Sequence, residues 1–94
     1  MAAICVGHIR VKDAEAWEQY RSRVGATIAR YGGEVLFRGR QQKLFCGEMV
    51  HESVVALQFA DLEAANRWHE SSEYQALIPI REQGADVTLV LYES

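Results

Sequence analysis

Four segments of this chain alternate like strands: Ala3 to Val11, Glu34 to Gly39, Ser53 to Ala60 and Asp86 to Tyr92. Most of them carry apolar residues on both faces. A strand of that kind needs cover on each side. Only two substantial helices are available, and two helices cover one face of a four-stranded sheet. The other face must meet something else, most simply a second copy of the same chain. This constraint reaches a fold and an oligomeric state but no reaction.

With 94 residues, the chain is expected to form one domain spanning 1–94. A domain of this size buries only ~60–70% of its unfolded surface, so association would add useful burial. Hydrophobic residues make up 49% and charged residues 24%, a globular balance that argues against disorder. The net charge of −3 leaves no basic stripe for a phosphate backbone, so nucleic acid is not an expected partner. Cys5 and Cys46 stand apart with no CxxC pair, which argues against a disulfide framework or a zinc site. The start has no basic segment and no apolar stretch long enough for a signal peptide, and no window approaches the ~18 apolar residues of a membrane span. A cytoplasmic protein with reduced thiols and no membrane association is expected.

The first strand places Ile4, Val6, His8 and Arg10 on one side and Cys5, Gly7, Ile9 and Val11 on the other. Asp13 is a good N-cap, with Glu15 in the first turn. Ala14, Trp17, Tyr20, Val24, Ile28 and Tyr31 then recur at helical steps. Gly25 weakens that helix, which suggests a close neighbour, and Gly32-Gly33 ends it. Past the second strand, Lys43 to Cys46 reads as a short hairpin extension. Asp61 caps a second helix with Leu62, Ala65 and Trp68 on its apolar face. Ser72 and Gln75 have capping-box spacing, and Tyr74, Leu77 and Ile78 continue the face until Pro79 interrupts it.

The order β-α-β-β-α-β with right-handed crossovers predicts an α+β, ferredoxin-like fold. Its four-stranded antiparallel sheet would have spatial order 4-1-3-2 and both helices on one face.

Several stretches together carry a resemblance. They are Gly7-His8-Ile9, Ala29-Arg30-Tyr31-Gly32-Gly33 leading into Phe37-Arg38-Gly39, Phe59, Ala64-Ala65-Asn66-Arg67-Trp68, Ser71-Ser72-Glu73-Tyr74 and Arg81. Over its whole length the chain resembles the domain-of-unknown-function 1330 family (DUF1330), within the dimeric α/β-barrel superfamily. It departs from that family's usual pattern at Ala14 and Ser72, where proline is typical, and in a shorter loop from Gly47 to Ser53. The resemblance implies a homodimer whose two sheets close face to face into a dimeric α/β barrel. It implies no reaction, because relatives range from cofactor-independent monooxygenases to haem enzymes, isomerase-like proteins and amino-acid-sensing regulators.

Two residues are candidates for catalysis. His8, mid-strand among apolar neighbours, has the chemistry of a general base, against the plainer role of a core or interface histidine. Arg38 should face opposite Phe37 and could hold a substrate carboxylate through two hydrogen bonds, or an intersubunit ion pair. Trp68, Tyr74, Trp17 and Tyr20 could wall an apolar substrate pocket, although aromatics at helical spacing are commonly plain core. Arg81 is either a solvated cap or a second anion contact, and the solvated role is expected; Ser71 is expected to be a cap. His8, His51 and His69 are far apart and form no HExxH, so no metal is expected, and no cofactor is implied.

The expected function is therefore a homodimeric small-molecule-binding protein, read as a cofactor-independent enzyme, oxygenase- or isomerase-like, acting on a small organic acid or aromatic compound. The alternative is a non-catalytic module for ligand sensing or assembly.

Overall fold

The computed structural model describes residues 2–94. Strand β1 (Ala3–Val11) leads into helix α1 (Ala14–Arg30). Strands β2 (Glu34–Arg40) and β3 (Ser53–Phe59) follow, then three consecutive helices, α2 (Leu62–Glu70), α3 (Ser72–Gln75) and α4 (Ile78–Gly84), and strand β4 (Ala85–Glu93). The strands form one antiparallel sheet in the order β2-β3-β1-β4.

Short-range chemistry accounts for the helix limits. Asp13 Oδ1 accepts the amides of Glu15 and Ala16 at 3.1 and 3.2 Å, and Asp61 Oδ1 accepts that of Ala64 at 2.8 Å. At the other end of α1, Gly32 takes a φ of 75°, a left-handed turn that glycine adopts without penalty.

The second helical region differs from its sequence pattern. Pro79 begins α4 instead of ending a helix, because its missing N–H costs nothing among the unsatisfied amides of a first turn. The Ser72–Gln75 capping box does not form, since the Gln75 side chain turns away to the His69 carbonyl; Ser71 caps α3 as expected, its Oγ accepting the Tyr74 amide at 3.1 Å. Lys43 to Cys46 join no strand among the described residues, so the extension expected there is an irregular loop from Gln41 to Glu52, closed at its base by Gln41 N–H to Glu52 O. Gly25 has no heavy atom near its missing Cβ, so no close neighbour explains it.

The core lies between the helices and one face of the sheet. Ala3 and Cys5 of β1 with Leu57 and Phe59 of β3 pack against Tyr20, Val24 and Ile28 of α1 and against Ala65, Trp68, Tyr74 and Leu77. Among the described residues no layer lies over the opposite face. Across it run Ile4 between Gln58 and Tyr92, Val6 between Ala56 and Val90, and His8 between Val54 and Thr88. Phe37 joins them beside Ala56 and is 55% exposed, and Tyr92 is 53% exposed. The molecule is accordingly a slab, with Cα extents of 32 × 31 × 16 Å.

Candidate functional site

The side chains of α1 and the sheet do not close fully on each other. Between them is a cavity of about 380 Å³, lined on one side by Trp17, Tyr20 and Val24 and on the other by Val55, Leu57 and Leu89, with Trp68 and Tyr74 reaching in. Four aromatic residues expected to wall a pocket thus converge on one. Trp17 stacks on Tyr20 with ring centroids 5.0 Å apart, and Trp68 packs on Tyr74 at 4.3 Å.

The polar tips of Trp68, Tyr20 and Tyr74 are held within this wall. Trp68, 2% exposed, donates its indole N–H to Thr27 Oγ1 at 3.0 Å, and Thr27 in turn donates to the Val24 carbonyl at 2.7 Å. The hydroxyls of Tyr20 and Tyr74 are 3.0 Å apart, and Arg81 Nη1 donates to Tyr74 Oη at 2.9 Å. Burial, reinforced by the neighbouring Tyr74, raises the Tyr20 pKa well above the ordinary phenol range, so this hydroxyl stays protonated near neutral pH.

Arg81 was expected to be solvated, but its side chain is only 14% exposed. The bond to Tyr74, seven residues earlier across the α3–α4 turn, draws it inward. Burial opposes its charge, yet Tyr74 and Glu82 more than offset that, raising its pKa further.

Arg38 lies on the cavity side of β2, opposite Val55, and Arg40 two residues on lies opposite Ser53; both line the cavity. Neither guanidinium forms an ion pair among the described residues, whereas Arg21, also lining, meets Glu18 at 3.5 Å. His8 is not part of this arrangement. It sits on the uncovered face with its ring centroid 6.1 Å from that of His51, so the sheet separates the two side chains expected to act in catalysis. No group of three or more metal-ligating side chains occurs among the described residues, and no helix there is long and apolar enough to cross a membrane.

Thr27 was missed in the sequence. Its signal was a polar residue seven positions after Tyr20, on the apolar stripe of α1. Arg40 was missed as well, although its two-residue spacing from Arg38 predicts a shared face.

Residues 2–94 match the family model described as a domain of unknown function, DUF1330. The chain belongs to the DUF1330 family. Comparison with curated proteins finds no match. Among solved structures, the chain is similar to a protein of unknown function from Rhodopseudomonas palustris, with a TM-score of 0.85 and 17% identity over 99% of this chain and 82% of that one. It is similar to a dimeric ferredoxin-like protein of unknown function from Jannaschia sp. CCS1, at TM-score 0.77 and 10% identity over 100% of both chains. SnoaB, a cofactor-independent oxygenase from Streptomyces nogalater, aligns at TM-score 0.70 and 16% identity over 99% of this chain and 92% of its own. At these identities the likeness concerns the fold. This DUF1330 chain has the α+β, ferredoxin-like fold, with a four-stranded antiparallel sheet and helices.

Proposed function

We propose that this protein is a homodimer, its two uncovered sheet faces closing on each other as a dimeric α/β barrel, and that each subunit binds a small organic acid with an aromatic or bulky apolar body. The observation carrying the ligand reading is the cavity itself. Its ~380 Å³ falls within the range of ligand pockets, and its aromatic wall stands beside two arginines without a protein carboxylate. Arg38 would hold the ligand carboxylate through a forked pair of N–H bonds, Trp17 and Trp68 would pack on its apolar body, and the Tyr20–Tyr74 hydroxyls would meet any further oxygen. The slab shape, the wet apolar face and the dimeric relative support the pairing. His8, on that face, belongs to the subunit contact in this reading and takes no part in proton transfer.

As an enzyme the protein would work without a cofactor, in the manner of an oxygenase or isomerase, using the protonated Tyr20 phenol to stabilise negative charge on a ligand oxygen. A second reading, a non-catalytic ligand-sensing module, is favoured by a specific feature: the cavity lining contains no Asp, Glu or His to serve as a base near neutral pH.

Titration calorimetry with a panel of aromatic and branched carboxylates tests binding. Arg38→Ala should weaken the best ligand ~10-fold or more while leaving the dimer folded. Undiminished affinity in Arg38→Ala would remove the anchor from the proposal. Mass spectrometry of the bound ligand after aerobic incubation separates the two readings, since an enzyme converts it and a sensor returns it intact.

A further inference from the structure

A second hollow of about 360 Å³ lies between α2, α4 and the sheet, lined by Asn66 and His69, by Arg81, and by Cys5 and Leu91 of the neighbouring strands. Trp68, Val87 and Leu89 line both hollows, so the two adjoin. Arg38 and Arg40 belong to the first alone, Arg81 and Leu91 to the second.

The guanidinium of Arg81 is half used. Nη1 is committed to Tyr74 Oη. Nε is buried and has no hydrogen-bond partner, since the nearest carboxylate oxygen, Glu82 Oε2, stands off at 3.7 Å. Nη2 forms no hydrogen bond among the described residues either. The edge without a hydrogen bond, which Glu82 meets only through the longer ion pair, is therefore the one made by Nε–H and the adjacent Nη2–H, whose parallel donors match the two oxygens of a carboxylate. A buried donor without a partner is costly, and a ligand that supplies one recovers that cost.

We propose that this hollow is a second binding site, which takes a short-chain aliphatic carboxylate on the free edge of Arg81. Charge selects a monoanion. Glu82 already places one negative charge beside the single guanidinium, so a dianion such as phosphate meets more repulsion for the same donors. The wall of Val87, Leu89 and Leu91 selects a short apolar tail. The reading is independent of what occupies the first cavity.

The test uses the full chain labelled with ¹⁵N, following the Arg81 Nε–H and Trp68 indole N–H resonances at ionic strength held constant with chloride. Butyrate should shift both saturably, and acetate should do so at roughly 10-fold higher concentration, since it lacks two methylenes. Glu82→Gln should tighten butyrate about threefold or more by removing the competing charge. Arg81→Lys should abolish the Trp68 response, and Leu91→Phe, which narrows the hollow without touching Arg81, should do the same if the lysine variant does not fold. Equal shifts with butyrate and phosphate would overturn the site, as would no response by ~100 mM. A butyrate response seen at Arg38 and lost in Arg38→Ala, with Arg81 unmoved, would also overturn it while leaving the first cavity's role intact.

Discussion

The hydroxyl of Tyr20 on α1 meets that of Tyr74 on α3 at 3.0 Å, and the second of these phenols also takes the Arg81 guanidinium. One oxygen thus joins three helices. Because Tyr74 serves both neighbours, the two tyrosines should not be equivalent in mutation. Tyr20→Phe removes one bond and should cost about 0.5–1.5 kcal/mol. Tyr74→Phe removes two and strands a mostly buried cation, at about 2–4 kcal/mol. Urea unfolding of both variants checks the order. Equal losses would mean that Arg81 draws nothing from Tyr74.

Two glycines should respond to alanine with opposite signs. At Gly84 an added Cβ would lie 2.7 Å from the backbone nitrogen of Trp17, and the Gly84 carbonyl accepts the amides of Lys12 and Asp13 at 2.8 and 3.0 Å. Backbone on both sides cannot move aside, so Gly84→Ala should destabilise by about 1–3 kcal/mol. Gly25 is mid-helix with open space around it, so Gly25→Ala should stabilise by up to ~1 kcal/mol through helix propensity. Thermal melts of the pair settle both signs.

The two faces of the sheet were legible because period-two alternation survives in β1, β3 and β4. The apolar stripe of α1 likewise put Tyr20, Val24 and Ile28 where the core holds them. The relation between His8 and Arg38 was not legible. β2 carries an irregularity between Val35 and Phe37 that leaves Leu36 out of register, and a one-residue slip decides which face every later side chain takes. Nothing local in Glu34 to Arg40 announces that slip. Arg81 was misjudged for a related reason. Its burial follows from a long-range bond to Tyr74 made possible by Pro79 starting a helix, and a proline in an apolar run reads equally as an end.

The two thiols should differ in reactivity and in their effect on stability. Burial pushes the Cys5 thiol up to about 11, from 9.0, while Cys46 is exposed in the loop. At pH 8 a thiol reagent should label Cys46 alone in the native protein and both residues in denaturant, as read by peptide mass spectrometry. The raised folded-state pKa also sets the sign of a pH effect. Between pH 9 and 11 the unfolded chain releases a proton that the folded chain keeps, so stability is complete below 9 and falls as pH rises through that window. Tyr20, raised by burial from 10.0, continues the same trend at higher pH. Cys5→Ala should flatten the fall between 9 and 11 in urea titrations run across that range. An unchanged slope would mean the thiol ionises alike in both states.

The uncovered sheet face should govern assembly. Val6 stands at its centre, flanked by Ala56 and Val90, with Ile4, Tyr92 and Phe37 around it, and no element among the described residues lies over them. In a face-to-face dimer the central residues of two copies approach each other, so Val6→Lys would bury two like charges in an apolar contact, a configuration with no compensating partner. The helical layer on the other face does not depend on Val6, because the buried core draws on Ala3, Cys5, Leu57 and Phe59 instead. Val6→Lys should therefore sediment as a folded monomer at ~10 μM with unchanged far-UV circular dichroism, and the parent chain should sediment as a dimer. A dimeric Val6→Lys would move the contact to another surface, such as the loop that exposes Leu44, Phe45, Met49 and Val50. A parent chain that is itself monomeric and stable would leave the apolar face without a partner of its own kind.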